Sequence, residues 1–178
     1  MALGSTILRF KIDVSDVDRG FYEKLELRVA RHPSESAPFL LTRLIAYVLN
    51  VQEGIAFTEG IANPDEAAVW VKDLTGLVSL WIDVGVPSAK RLHKASKASK
   101  QVRIYIHRDP QILRDEIKGQ TVHRLEEIEF FQIDPKFLQQ LEHTLDRDNV
   151  WKFLFNEGEL SITVKDQTYE GTVTRCSM

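Results

Sequence analysis

The sequence predicts a mixed α/β domain (an α+β arrangement with one mixed sheet flanked by helices), and three patterns predict it. Two alternating segments open the chain, a strand–helix–strand unit with short links fills the middle, and three more alternating segments close it. Residues 6–14 place Leu8, Phe10, Ile12 and Val14 on one face and Arg9, Lys11 and Asp13 on the other. Residues 21–30 repeat this with Leu25, Leu27 and Val29 against Lys24, Glu26 and Arg28. Period-two patterning with the polar link 15–20 between the runs predicts an antiparallel N-terminal hairpin with one wet face.

From residue 36 the period lengthens. Leu40, Leu41, Leu44, Ile45, Val48 and Leu49 form one helical stripe, Pro38 suits the first turn, and Arg43 is expected on the opposite side. A short strand over 54–58 follows. Asn63 then reads as a helix cap, with Pro64 at the first position, Asp65 and Glu66 in the first turn, and Trp70 and Val71 facing inward. Residues 77–84 are nearly continuously apolar, the mark of a strand covered on both faces. Gly85 and Pro87 stop that strand, 88–99 is helical, and 102–106 is a second strand, so a right-handed parallel crossover is expected. Asp109-Pro110 and Asp134-Pro135 each start a helix, with a strand over 128–133 between them. Runs at 150–155, 160–164 and 169–173, linked through Gly158 and Asp166-Gln167, predict a C-terminal β-meander.

Size and composition narrow the class. The chain has 178 residues, 43% hydrophobic and 28% charged, which fits one globular domain over residues 1–178 and excludes a disordered chain. No apolar run approaches the ~20 residues that cross a bilayer, so no membrane association is expected. Residues 1–6 carry neither a basic nor an apolar leader segment, and the single cysteine, Cys176, has no partner. A cytoplasmic, reducing location is expected. The net charge of −3 excludes a globally basic nucleic-acid binder but not a local basic patch.

Two features carry candidate chemistry. Asp83 lies near the carboxyl end of the most apolar strand, where a carboxylate requires a cation or several donors and where α/β sheets place ligands. The competing reading is an Asp that caps the next turn or pairs with a nearby lysine. From Lys90 to Arg108 there are seven Lys or Arg residues and no acid. On a helix, Lys90, Lys94 and Lys97 share one face, with His93 at its margin, while Leu92 and Ala95 turn inward. Such a row suits nucleic-acid phosphate, or is a solvated face balanced elsewhere. Its self-repulsion of a few tenths of a kcal/mol per pair means that other contacts must hold the helix. Mg²⁺ takes oxygen ligands, so Glu59, Asp65, Glu66 or Asp73 can join Asp83 at a metal. Asp65 and Glu66 already have a role at a helix start, which leaves Glu59 as the better second ligand. No zinc-spaced histidines, glycine-rich phosphate loop or nucleophile elbow is present.

The stretches "STILRFKIDVSDVDRGFYEKLELRVARHPSES", "FLLTRLIAYVLNVQEGIAF", "FTEG", "PDEAAVWVKD", "LWIDVGVPSAKRLHKASK" and "VRIYIH" resemble the YaeQ family of bacterial proteins along nearly the whole chain. The resemblance implies a variation on the PD-(D/E)XK restriction-endonuclease-like core, a mixed sheet flanked by helices. In such nucleases acids on adjacent strands hold Mg²⁺, a lysine assists, and the metal activates water at a phosphodiester. By that likeness Asp83 in "IDVG" takes the acidic position and Gly85 stands where the lysine belongs. Lys94, or Lys90, of the following helix would replace it, and "Pro64-Asp65" has the letters of a proline–aspartate step but reads as a helix start. The implied activity is a Mg²⁺-dependent nuclease or a nucleic-acid-binding protein. Asp83 and Lys94 would act at the reacting centre, Asp83, Glu59 and Asp65 at the metal, and Lys90, Arg91, Lys94 and Lys97 on phosphates. Gly85 favours the alternative, a fold member without catalysis that binds an anionic or protein partner.

Overall fold

The computed structural model describes residues 4–178; the first three residues of the expected domain lie outside it. The N-terminal hairpin forms as expected. Strands β1 (Thr6–Asp16) and β2 (Phe21–Arg31) pair antiparallel from Thr6↔Arg31 to Asp16↔Phe21. Helix α1 (Ala37–Leu49) follows, its first turn closed by Ser36, whose Oγ accepts from the Phe39 N–H at 3.3 Å. Arg19, in the hairpin turn, donates to Asp16 and to the Val48 and Val51 carbonyls, so the hairpin is tied to the end of α1.

Arg43 departs from expectation. It is buried, and its guanidinium forks onto the buried Glu35 carboxylate at 2.9 and 3.0 Å and donates to the Ala30 carbonyl. The helix is enclosed on more sides than the leucine stripe alone indicates, and only a paired, hydrogen-bonded cation is tolerated there.

Next come β3 (Ile55–Phe57), β4 (Val69–Lys72) and β5 (Val78–Val84), an antiparallel succession. The helix expected from Asn63 is absent. Asn63 closes a turn instead: its Oδ1 accepts from the Asp65 N–H and its carbonyl from the Glu66 N–H. Residues 69–72 then bury Val69 and Val71 but not Lys72, which is strand patterning. Cap-plus-proline chemistry therefore began a turn here, and packing on β5 decided the rest.

Helix α2 (Ala89–Ala98) links β5 to β6 (Gln101–Ile106), and the two strands are parallel, as the crossover predicted. Helix α3 (Pro110–Ile117), β7 (Glu129–Ile133) and α4 (Pro135–Glu142) follow, and β7 runs parallel to β6. The meander of β8 (Asp148–Asn156), β9 (Glu159–Val164) and β10 (Gln167–Cys176) closes the chain.

All strands join one mixed sheet in the order β2-β1-β8-β9-β10-β7-β6-β5-β4-β3. Strand β10 bridges its halves, pairing through Thr172 with β9 and from Val173 with β7. Beside that switch Gly171 lets α4 approach: a Cβ there would lie 2.4 Å from the Phe137 Cβ. Helices α1 and α4 pack with β1, β8 and β9 in the larger core, while α2 and α3 cover β5, β6 and β7 in the second. No helix among the described residues is long and apolar enough to cross a membrane.

Candidate functional site

Alternation along β5 turns Leu80 and Ile82 toward the larger core and Trp81 and Asp83 toward α2. Gly85 ends the strand at φ +89°, its N–H donating to the Tyr105 carbonyl. Ser88 opens α2 by accepting from the Arg91 N–H, which sets Arg91 over the end of β5. The Arg91 guanidinium then forks onto Asp83, Nε to Oδ2 at 2.6 Å and Nη2 to Oδ1 at 2.8 Å. It also donates to the carbonyls of Pro64 (2.7 Å) and Glu66 (2.6 Å), and lies 5.8 Å from the Trp81 ring centre. The Ala68 N–H completes the set on Asp83 Oδ1 at 3.1 Å.

One latch thus joins β5, α2 and the turn before β4. The carboxylate is buried at 3% side-chain exposure and the guanidinium partly so at 27%. Planar, bidentate pairing is the geometry in which an ion pair survives such desolvation. Asp83 therefore has the local job that the structural reading assigned to it, with an arginine in place of the lysine.

The other expected ligands lie elsewhere. Asp65 is exposed and pairs with Lys94, whose hydrogen bond and charge hold the Asp65 carboxyl below the usual carboxylate range against a small effect of burial, with Arg91 adding to the lowering. Glu59 is exposed, and its N–H donates to the Glu66 carboxylate. Among the described residues no three His, Cys, Asp or Glu side chains form a group that could hold a metal ion. The donors at Asp83 do not suit Mg²⁺, because a guanidinium fork occupies both oxygens where a second cation would have to sit. Gly85 adds a backbone reason. A Cβ there would find 3.7 Å to its nearest neighbours, so there is room, but the left-handed φ disfavours a lysine.

The basic row divides in two. Arg91 turns inward, whereas Lys90, Lys94 and Lys97 lie exposed along one face of α2. Lys100 continues the row and pairs with Asp73 at 3.6 Å. Arg103 belongs to another network, donating to Glu129 and to Asn50, which in turn donates to the Tyr105 hydroxyl. The contacts that hold α2 despite its repulsion are now visible. Leu92 and Ala95 are fully buried, Arg91 latches the first turn, and Arg124 donates to the Ser96 and Ser99 carbonyls at the last. A cavity of about 310 Å³ opens beside the latch, lined by Phe39, Ile61, Pro64, Asp83, Ser88 and Arg91.

Sequence reasoning missed the roles of Arg91, Arg124 and Glu35. The Ser88 cap was a usable signal for Arg91, since it fixes which residue stands one turn above the strand end. Arg124 and Glu35 lie in connecting segments without period, and nothing local announced their partners.

The YaeQ protein family model matches residues 1–173. The chain is 28% identical to the uncharacterised protein YaeQ of Salmonella typhi over 162 residues, 90% of this chain and 89% of the relative. It is 26% identical to that of Escherichia coli (strain K12) over 176 residues, 98% and 97% of the two. The crystal structure of the YaeQ protein from Pseudomonas syringae superposes with a TM-score of 0.87 at 28% identity, covering 98% of this chain and 97% of that one. The YaeQ protein from Xanthomonas axonopodis pv. citri gives 0.86 at 27%, covering 96% and 97%.

Proposed function

The chain belongs to the YaeQ family, and we propose that it binds nucleic-acid phosphate through the exposed face of α2, without a metal ion. The observation that carries this reading is the division of the basic row. Asp83 neutralises Arg91 inside the fold, while Lys90 and Lys97 stand in water with no carboxylate partner among the described contacts. Like charges on one helix face repel, and cations in a first turn oppose the helix dipole. A polyanion relieves both effects and gains by counterion release.

Kinship with the PD-(D/E)XK nucleases is part of the same proposal. An acid at the carboxyl end of a strand that feeds a basic helix, in a helix-flanked mixed sheet, supports it. The arrangement of donors favours the branch without catalysis, in which Asp83 positions Arg91 and α2. The cavity beside the latch favours a second reading, Mg²⁺-dependent phosphodiester cleavage, which requires Arg91 to leave Asp83 first.

Incubation with labelled single-stranded, duplex and branched DNA and with RNA, in EDTA and in Mg²⁺ or Mn²⁺, separates the two. The proposal expects complexes in EDTA and no cleavage with either metal. Cleavage that requires metal and is lost in Asp83→Ala would overturn it in favour of the nuclease. Absence of complexes on every substrate would overturn both.

A further inference from the structure

Strand β2 ends the sheet on one side, and it is long, regular and open. The direction of its unpaired backbone groups follows from β1. The Arg9 N–H donates to the Arg147 carbonyl beside β8, and the Val17 N–H to Phe155 within β8. Odd residues of β1 therefore bond toward β8 and even ones toward β2. Through the register Leu8↔Val29, Phe10↔Leu27 and Ile12↔Leu25, the odd residues of β2 are consumed by β1. Tyr22, Lys24, Glu26, Arg28 and Ala30 aim their N–H and C=O groups out of the sheet. Of these the Ala30 carbonyl is already taken by Arg43.

We infer that this edge pairs antiparallel with β2 of a second copy of the chain, on a two-fold axis through Leu25, so that the sheet continues across both. The side chains select that register. Centred on Leu25, Lys24 faces Glu26 of the second copy twice, Tyr22 faces Arg28 twice, and Leu25 meets Leu25. Cross-strand opposite charges and an arginine–aromatic contact are both favourable. Centred one residue on, at Glu26, the same strand sets Glu26 against Glu26 and Lys24 against Arg28, which is repulsive. Centred on Leu27 the charges match again, but Lys24 must then donate to the Ala30 carbonyl that Arg43 occupies.

Two further facts fit a partner of this kind. Leu25 and Leu27 pack on the larger core yet remain half-exposed, so its margin at β2 is uncovered. Tyr22 is 61% exposed on the outer face. Charges commonly guard a sheet edge against pairing, and guards of one sign do so best. Lys24 and Glu26 match Asp13 and Lys11 across the hairpin, and in the register about Leu25 the alternating signs of Lys24, Glu26 and Arg28 complement a second copy as well.

Sedimentation of the full chain across a concentration series tests this. The wild type is expected at twice the chain mass at about 100 μM, well above the micromolar range typical of modest interfaces. Glu26→Lys, an exposed substitution, sets lysine against Lys24 and is expected to weaken dimerisation at least tenfold. Adding Lys24→Glu restores the pairing about Leu25 and so restores the dimer. A monomeric wild type, or a dimer that Glu26→Lys leaves unchanged, overturns the inference. So does a double variant that stays monomeric while its circular dichroism matches wild type.

Discussion

At the scale of the residue, one carboxylate holds the end of β5, the start of α2 and the turn before β4 together. Asp83 accepts three hydrogen bonds, from Arg91 twice and from Ala68, and the arginine it holds also ties down the Pro64 and Glu66 carbonyls. Removing its charge leaves a partly buried guanidinium without its counter-ion. Asp83→Asn is expected to cost about 3 kcal/mol in urea unfolding, the low end for stripping one partner from a buried pair, because Arg91 keeps some contact with water. A metal-ligand role for Asp83 alone would instead leave metal-free stability nearly unchanged. A second residue sets a pH dependence. His107 is buried edge-on to Phe39, and burial, with Arg108 beside it, pushes its pKa below the ordinary 6.5. Above pH 6.5 both folded and unfolded chains hold it neutral. As pH falls through 6.5 the unfolded chain gains a proton that the folded one resists, so stability declines toward the depressed folded value. His107→Gln is expected to flatten that part of a stability–pH curve measured by denaturant titration. The position of Asp83 was legible in the sequence because an acid in an apolar strand is conspicuous. Its partner was not, because Arg91 sits in a basic run and helical spacing alone does not say which member faces inward.

The elements show where local rules suffice and where they fail. Helix α2 has Ser88, Arg91 and Arg124 to hold it, yet its first turn contains Lys90, which the dipole and Lys94 both disfavour. Lys90→Glu is therefore expected to raise stability by about 0.5 kcal/mol at low salt, and by less in high salt. The crossing of α4 over β10 depends on a missing side chain. Gly171→Ala would press a methyl into the Phe137 ring and is expected to lower stability by about 3 kcal/mol, read as a fall in the thermal midpoint. Most elements were readable, since caps at Ser36, Ser88, Asp109 and Asp134 start their helices where the sequence puts them. Residues 63–72 were misread because Asn63-Pro64 serves a turn as well as it serves a helix. Only pairing with β5 tells the two apart.

For the whole molecule, the hairpin, the parallel crossover and the terminal meander were all present in the pattern of the chain. The way they join was not. Strand β1 pairs parallel with β8 across most of the sequence, and β10 spans both halves of the sheet. Such pairings carry no local period, and they bring Phe10, Leu80, Ile82, Trp151 and Leu160 from distant parts of the chain into one core under α1. This joining leaves the lysine-bearing face of α2 outside the core, with Lys90, Lys94 and Lys97 in a row. The most direct test of that face is the salt dependence of nucleic-acid affinity in EDTA, for the wild type and for Lys90→Ala/Lys94→Ala/Lys97→Ala. Phosphate contacts from Lys90 and Lys97, the two without a carboxylate partner, predict a slope of about −1.8 in log K against log salt on duplex DNA, nearly abolished in the triple variant and with no requirement for Mg²⁺. Affinity that survives loss of the lysines, or that appears only with Mg²⁺ and disappears in Asp83→Asn, would contradict the account.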